Sequence, residues 1–437
     1  MIRFVLPLIL ALAAALPARA EVKIQEVTTP GGLKAWLVEE HSIPFTALEI
    51  WFRGGTSLDR PGKRGAVNLM TATLEEGAGD MDALAFTRAK EMLATDFDYD
   101  VSDDTLTVSA KFLTENRDKA VALLRESLVN TRFDQEAIDR VRGQVISIIR
   151  SDEKDPNDMA GRALSEQAFG DHPYGTVSNG TEESVNALTR DDMLTARDDT
   201  IARDRVYIGA VGDITPEDLA TLLDDLLGDL PETGAPLPED IEPALTGGIT
   251  VIPYNTPQSV ALFGHAGVSM DSDDFFPAYL LNTILGGGGF ESRLMHEVRE
   301  KRGLTYGIGS YLVDKDHADL WLGQVQSANN RIAEAIEVTK QQWAEAAEKG
   351  VTEEELAAAK KYLTGAYPLR FDGNGPIANI ITGMQIQGMP IDYPATRNDK
   401  VNAVTLEQVN DVARRYLKPD NLRFVVVGQP DGLSSTN

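Results

Sequence analysis

The chain has 437 residues, with 68 acidic and 41 basic side chains, a formal net charge of -27 and no cysteine. This length predicts more than one domain, and a hydrophobic content of 42% is too high for a disordered acidic protein. The negative charge argues against a nucleic-acid binder, and the absence of cysteine excludes disulfides, thiolate metal sites and a cysteine nucleophile.

Residues 1–20 have the pattern of a secretory signal peptide. Arg3 precedes an apolar stretch over residues 5–16, and residues 18–20 form a small-x-small cleavage site. The stretch is too short for a stable membrane span, and no later apolar run reaches about 18 residues, so we expect no membrane span in the mature chain. In a Gram-negative source, the signal would direct the protein across the inner membrane to the periplasm.

The rest of the chain is predicted to form two homologous domains. A Pro-rich, acidic segment without amphipathic period predicts a linker at residues 231–247, between an N-terminal domain at 21–230 and a C-terminal domain at 248–437. Short motifs recur in the same order at offsets of 212, 218 and 216 residues, in the pairs Gly55/Gly267, Phe133/Val351 and Leu188/Val404. Similar offsets in one order indicate a duplicated domain.

Both halves show the same order of predicted elements. Apolar or alternating runs predict strands at 33–38, 47–52, 105–112 and 206–212 in the first half, and at 249–252, 260–266 and 422–428 in the second. Helical patterns cover 115–130, 134–150, 330–348 and 352–367. Strands mixed with helix pairs predict an α+β fold, in which each domain is a mainly antiparallel sheet packed with helices.

Four consecutive glycines stand out in the second half: Gly286, Gly287, Gly288 and Gly289. They predict a flexible loop with exposed amides, which can rearrange and hydrogen-bond an extended peptide. A nucleotide-binding loop is the alternative, but the Gly-Lys-Ser/Thr that completes such a loop is missing.

A helix and a strand are predicted after the glycines. Residues 291–301 have helical spacing, and Gly303 is suited to end that helix. Residues 304–312 alternate as a strand, with Tyr306 on the apolar side. From these patterns alone, Arg299 complements the helix dipole and Tyr306 is a core residue.

The segment from 285 to 306 resembles the C-terminal-domain signature of the insulinase/pitrilysin zinc peptidases, the inverzincins. It is most similar to their short bacterial two-domain members and to mitochondrial processing peptidase subunits. In that family an Arg, and a Tyr seven residues later, bind the substrate backbone and help to stabilise the reacting carbonyl. Arg299 and Tyr306 have this spacing, and both carry donors that suit a developing oxyanion. The resemblance thus implies a substrate-binding role for both residues and for the glycine loop.

The first half departs from the family pattern. Active members carry His-x-x-Glu-His on a helix, where the histidines bind zinc and the Glu is the general base. Asn68, Thr71 and Ala72 stand at those three positions, and residues 145–150, where the resemblance implies the third ligand, contain no carboxylate. We therefore expect no metal site and no complete catalytic set in this chain.

The histidines offer little alternative as zinc ligands, because none of the five lies within five residues of another. His296 and Glu300 are one helical turn apart, but a solvated helix face is the favoured interpretation. His265 lies in an apolar run and is expected in the core, whereas His172 is expected in a turn.

The resemblance implies a non-catalytic, substrate-binding subunit of a heterodimeric zinc metallopeptidase that degrades or processes peptides in the periplasm. Zinc is then expected in a homologous partner subunit, and unfolded peptides are the expected substrates. The alternatives are a degenerate structural or interaction protein and a stand-alone peptide-binding protein without a proteolytic role. The Asp103-Asp104 pair is predicted to be solvated, and an acidic chamber would attract basic peptides.

Overall fold

The computed structural model describes residues 22–436, so the predicted signal peptide lies outside the described residues. Within this range no helix is both long and apolar enough to cross a membrane. Two large sheets organise the fold, one formed before residue 213 and the other after residue 247.

The strands of the first half are β1 (Gln25–Thr28), β2 (Lys34–Glu39), β3 (Phe45–Arg53), β4 (Gly77–Ala78), β5 (Met81–Asp82), β6 (Asp96–Val101), β7 (Thr105–Leu113) and β8 (Val206–Gly212). Six of them form a sheet in the order β1-β2-β8-β3-β7-β6, and β4 pairs with β5. Only β2 and β8 are parallel neighbours in the large sheet. Leu48 and Ile50 alternate along β3 and are buried in the core of this half.

The helices of the first half are α1 (Ala66–Thr71), α2 (Ala83–Leu93), α3 (Arg117–Val129), α4 (Gln135–Asp152), α5 (Pro156–Phe169), α6 (Glu182–Asn186), α7 (Arg190–Thr200) and α8 (Pro216–Leu227). Several begin after a polar cap. The side chain of Asp155, for example, accepts the Asn157 N–H at the start of α5, and Pro156 occupies the first helical position.

The second half contains β9 (Gly248–Pro253), β10 (Gln258–Ala266), β11 (Ile308–Lys315), β12 (Ala318–Ala328) and β13 (Arg423–Gly428). They form a sheet in the order β11-β12-β10-β13-β9, in which only β9 and β13 are parallel. The first sheet contains the same order as β6-β7-β3-β8-β2, as expected for duplicated halves.

The helices of the second half are α9 (Phe275–Asn282), α10 (Ile332–Lys349), α11 (Glu353–Ala366), α12 (Asn374–Ile386), α13 (Tyr393–Ala403) and α14 (Leu406–Tyr416). Two wider, π-helical turns, Thr283–Gly287 and Met295–Glu300, lie between α9 and β11. Antiparallel-dominated sheets packed with helices confirm the predicted α+β fold.

The segment predicted as a linker contains no helix or strand from residue 231 to residue 247. It is nevertheless attached to both halves. The Ile241 N–H donates to the His317 carbonyl at 2.8 Å, and the Ala244 N–H donates to the Ala168 carbonyl at 2.8 Å. Leu245 is buried beside α5, so the segment has a defined path along the junction.

Two helices, which the sequence patterns did not predict, cross between the halves. Helix α5 packs on β10 and β13 of the second sheet, and α12 packs on β8 and β3 of the first. Leu164 of α5 lies with Val425, and Ile381 of α12 lies with Val211. A Cβ at Gly209 would lie 2.8 Å from the Ala378 carbonyl oxygen, so β8 needs glycine where α12 approaches it. Each sheet is thus covered on one face by a helix of the other half.

Candidate functional site

The helix that corresponds to the family's zinc helix is α1, and it is firmly anchored. The carboxylate of Asp59 accepts the N–H groups of Gly65 and Val67 at 2.7 and 2.8 Å, which satisfies two free donors at the helix start. Arg64 lies 3.3 Å from the same carboxylate. Burial raises the pKa of Asp59 despite these contacts. The scaffold of the helix is therefore intact.

The side chains on α1 do not form a zinc site. Thr71 is buried and its hydroxyl donates to the Val67 carbonyl at 2.8 Å, so it is directed to its own helix. Asn68 is half-buried, and Ala72 is exposed and has no ligand atom. Threonine and asparagine are not typical zinc ligands.

The second helix of the expected site, α4, packs against α1 but provides no carboxylate at the implied position. Val145 and Ile149 are buried, Ile148 is 51% exposed, and Arg150 pairs with Glu182. Across residues 22–436 no group of three or more His, Asp or Glu side chains is arranged to hold a metal ion. The donor set does not fit zinc, and we derive no catalytic step through a metal.

His172 and His317 both lie against the ring of Tyr174, whereas His265 and His296 lie in other environments. His265 is buried and accepts the Trp343 Nε1–H at 3.0 Å, and burial lowers its pKa to about 4, so it is a neutral core residue. His172 precedes a single helical turn and caps it through the Tyr174 N–H. His296 is exposed beside Glu297, on a helical turn that also carries Glu300.

The prediction of a flexible loop over the four glycines is wrong for its first half. Gly286 and Gly287 end the π-helical turn Thr283–Gly287, and Gly286 is buried. A Cβ at Gly286 would lie 2.6 Å from the Ser310 backbone nitrogen, so glycine permits this turn to approach β11 closely. Gly288 continues the backbone with negative φ, and only Gly289 has positive φ, at 59°.

The predicted helix at 291–301 is shorter and wider than expected. Regular helical residues begin at 293 and give way to the π-helical turn Met295–Glu300, with Leu294 and Val298 buried as predicted. Gly303, at φ 59°, ends it by donating its N–H to the Arg299 carbonyl at 2.8 Å. The Arg299 guanidinium lies 4.8 Å over the ring of Phe290 and makes no ion pair within residues 22–436.

The strand predicted at 304–312 begins later, at Ile308, because Thr305 organises a turn before it. The Thr305 hydroxyl lies 2.8 Å from the Gly307 carbonyl and 2.6 Å from the Gln326 carbonyl. Tyr306 is consequently 94% exposed, so the interpretation as a core residue is wrong. An exposed tyrosine retains its hydroxyl for a ligand.

Tyr306 lies on the wall of a cavity of about 1040 Å³, which we call the Tyr306 groove. Its wall includes Gly286, Gly287 and Gly289, so the structure brings these predicted residues together. Arg299 is not on the wall; its guanidinium packs over Phe290, which follows Gly289 in the chain. The wall also contains side chains of β10 and β12 that the sequence patterns did not indicate, since their common face depends on strand register.

A second cavity, of about 1180 Å³, lies where the two halves meet, and we call it the junction cavity. Its wall combines Arg53 of β3 with the β11–β12 hairpin and part of the linker segment. Its carboxylates are Asp240, Glu242, Asp271, Asp314, Asp316 and Asp319. Burial and the neighbouring Asp314 raise the pKa of Asp319 to about 7.

The sequence prediction of a solvated face for the Asp103-Asp104 pair is wrong. Asp103 accepts from the Lys315 ammonium at 2.6 Å, and Asp104 accepts from the Tyr174 hydroxyl. That tyrosine oxygen also accepts the His317 N–H at 3.2 Å. The pair therefore joins the β6–β7 turn of the first half to the β11–β12 turn of the second.

Two family models match the chain. The model described as Insulinase (Peptidase family M16) matches residues 35–182, and that described as Peptidase M16 inactive domain matches residues 187–363. The non-peptidase homolog YmxG of Helicobacter pylori is 26% identical over 390 residues, which cover 89% of this chain and 90% of that protein. The mitochondrial-processing peptidase subunit beta of Blastocladiella emersonii is 22% identical over 423 residues, covering 95% and 90%.

The same similarity extends to solved structures. The crystal structure of a peptidase M16 inactive domain from Pseudomonas fluorescens superposes with a TM-score of 0.87 at 27% identity. The superposition covers 94% of this chain and 99% of that chain. Both halves and their relative arrangement are thus shared with that protein.

Proposed function

Because the chain belongs to the insulinase family of peptidases, family M16, we propose that it is a non-catalytic subunit that binds substrate in a two-subunit zinc peptidase. The chain has the peptidase fold without the family's zinc motif. One observation carries the proposal: the zinc-helix positions Asn68, Thr71 and Ala72 hold no ligand set, while Tyr306 is fully available at an open groove. The first half has lost the zinc motif and the second half has retained the Arg299/Tyr306 pair. This combination fits two subunits that provide different parts of one active site.

The retained residues suit a peptide backbone. The Tyr306 hydroxyl and the Arg299 guanidinium are hydrogen-bond donors that can meet a peptide carbonyl or the negative charge that develops on it. Arg299 has no competing carboxylate within residues 22–436, and its contact with Phe290 leaves its N–H groups available. Peptide binding and orientation are therefore the roles we assign to this chain.

The catalytic zinc and the general base would come from a homologous partner that carries a complete His-x-x-Glu-His motif. The name of the Blastocladiella relative describes a subunit, which supports a multi-subunit arrangement for that protein. The assignment of a partner to this chain is part of the proposal. So is a periplasmic location, which depends on the signal-peptide pattern of residues 1–20.

A pull-down with the tagged mature chain, followed by metal analysis and a peptide-cleavage assay, tests the proposal. We expect a homologous zinc-bearing subunit to co-purify, and the complex but not the chain alone to cleave unfolded peptides. Chelator-sensitive cleavage by the pure chain would contradict a non-catalytic role. A single species that binds peptide without any partner would instead support the stand-alone peptide-binding protein.

A further inference from the structure

Three exposed glutamines lie on one face of the second sheet beside Tyr306. Gln258 is on β10, and Gln324 and Gln326 are on β12. The antiparallel register places Gln326 opposite Val260, so their side chains share a face, on which Gln258 also lies. The three amides therefore form a strip, which we call the glutamine strip.

The glutamine strip remains open because α5 covers only part of this face. Helix α5 packs on β10 and β13 and lies with Leu320 and Leu322 of β12, whereas Gln324 and Gln326, nearer the end of β12, are exposed. Tyr311 of β11 is 43% exposed on this uncovered part, and Gly309, opposite Gln324, adds no side chain. None of the three glutamine side chains hydrogen-bonds to another group within residues 22–436, so their donors and acceptors face the groove unpaired.

The wall of the Tyr306 groove carries almost no charge. Arg331 is the one charged residue on the wall within the described part of the chain. Its guanidinium donates to the carbonyls of Gly303 and Arg302, at 2.7 and 3.3 Å. In a chain where 25% of residues are charged, a cavity of about 1040 Å³ without a carboxylate differs clearly from the rest of the surface.

We infer that the Tyr306 groove selects extended peptide segments whose side chains are uncharged. This inference rests on the proposed function, because it names the class of peptide that the same groove accepts. Each glutamine amide offers both a donor and an acceptor, which matches the alternating N–H and C=O groups of an extended backbone. A charged side chain in the groove would lose water, which opposes its binding. A lysine would meet no carboxylate on the wall, and a glutamate would meet only Arg331, whose guanidinium is already bonded to two backbone carbonyls.

Fluorescence anisotropy with three labelled peptides of equal length tests the inference. One peptide contains only uncharged residues, the second has two central lysines, and the third has two central glutamates. The titrations use the purified mature chain, together with its partner where one co-purifies. We expect the uncharged peptide to bind about tenfold more tightly than either charged peptide.

A matched pair of variants assigns the selectivity to the glutamine strip. Gln324→Glu should move the preference towards the lysine peptide, whereas Gln341→Glu, an equal charge change on exposed α10, should not. Equal binding of all three peptides would overturn the inference and leave the proposed function standing. Absence of any peptide binding would overturn both.

Discussion

Two cavities of similar volume, the junction cavity and the Tyr306 groove, have opposite chemical character. The first is lined by carboxylates of the second half and of the linker segment, and the second by amides, glycines and phenols of the second half with part of α5. In the junction cavity polar side chains are already in contact: Asp316 lies 3.3 Å from Arg53, and His317 lies 3.0 Å from Asp240. In the Tyr306 groove the polar side chains of the glutamine strip have no partner within residues 22–436.

The comparison distinguishes charged side chains that form contacts within the molecule from polar side chains that are free to bind a ligand. A net charge of -27 suggests an acidic chamber, yet around the junction cavity Asp316 pairs with Arg53 of the first half, and Asp240 of the linker segment pairs with His317. The proposed peptide site carries little of that charge. Net charge alone is therefore a poor guide to which peptides the groove accepts.

The largest expected effect is on peptide turnover, which should depend on the proposed peptide-binding residues and not on the junction cavity. In the complex with its zinc-bearing partner, we expect Arg299→Ala or Tyr306→Phe to lower peptide turnover about 100-fold, because a donor to the developing oxyanion is lost. Asp319→Asn in the junction cavity should leave turnover unchanged. Steady-state kinetics measures both, and unchanged turnover in the Arg299 and Tyr306 variants would favour a purely structural or interaction role.

The next effect tests whether the glycine at the groove wall is needed for packing. Gly286→Ala should destabilise the fold by about 1–3 kcal/mol, because its Cβ would press on the Ser310 backbone of β11. Gly307→Ala is the matched control, since a Cβ there meets nothing within 4 Å. Urea unfolding measures both variants. Equal midpoints would show that the backbone at Ser310 can shift to accommodate a Cβ at Gly286 without loss of stability.

A smaller effect is expected at the contact between the halves. Tyr174→Phe removes the hydroxyl that donates to Asp104 and accepts the His317 N–H, which should cost about 1 kcal/mol or somewhat more. Tyr254→Phe removes an exposed hydroxyl bonded to the Lys154 carbonyl and should cost less. Tyr254 and Lys154 also belong to different halves, so the pair of variants compares a part-buried contact with an exposed one. Thermal unfolding measures both, and a larger loss in Tyr254→Phe would contradict the assignment of Tyr174 as the stronger contact.

The last expected effect is confined to a window of pH and belongs to the junction cavity. Since the pKa of Asp319 is about 7 in the folded protein, against an ordinary value of 3.8, the folded state retains a proton that the unfolded state loses. The contribution of this site to stability therefore falls as the pH rises from about 4 to about 7. Asp319→Asn should flatten the curve of unfolding free energy against pH in this window, as urea titrations can measure. A variant curve parallel to the wild-type curve would contradict the assignment.

The sequence predicts the repeated sheet-and-helix order well, because apolar alternation along β3 and β10 and the long patterns of α4 and α10 are local properties. It does not predict that α5 and α12 cross between halves. An apolar helix face shows that the helix packs against something, but does not identify which sheet it packs on. The Arg299–Tyr306 spacing is readable as a motif. The exposure of Tyr306 depends on the Thr305 turn, and the glutamine strip depends on the register of β10 with β12.

The crossing of α5 and α12 makes the two halves mutually dependent for their cores. A single proteolytic cut within residues 231–247 would leave α5 on the fragment that lacks the second sheet, and α12 on the fragment that lacks the first. The two fragments should therefore remain associated after the cut, and separately expressed halves should be recovered as a pair rather than as independent domains. The two repeats therefore resemble the subunits of an intertwined dimer, and the linker segment at residues 231–247 joins them covalently.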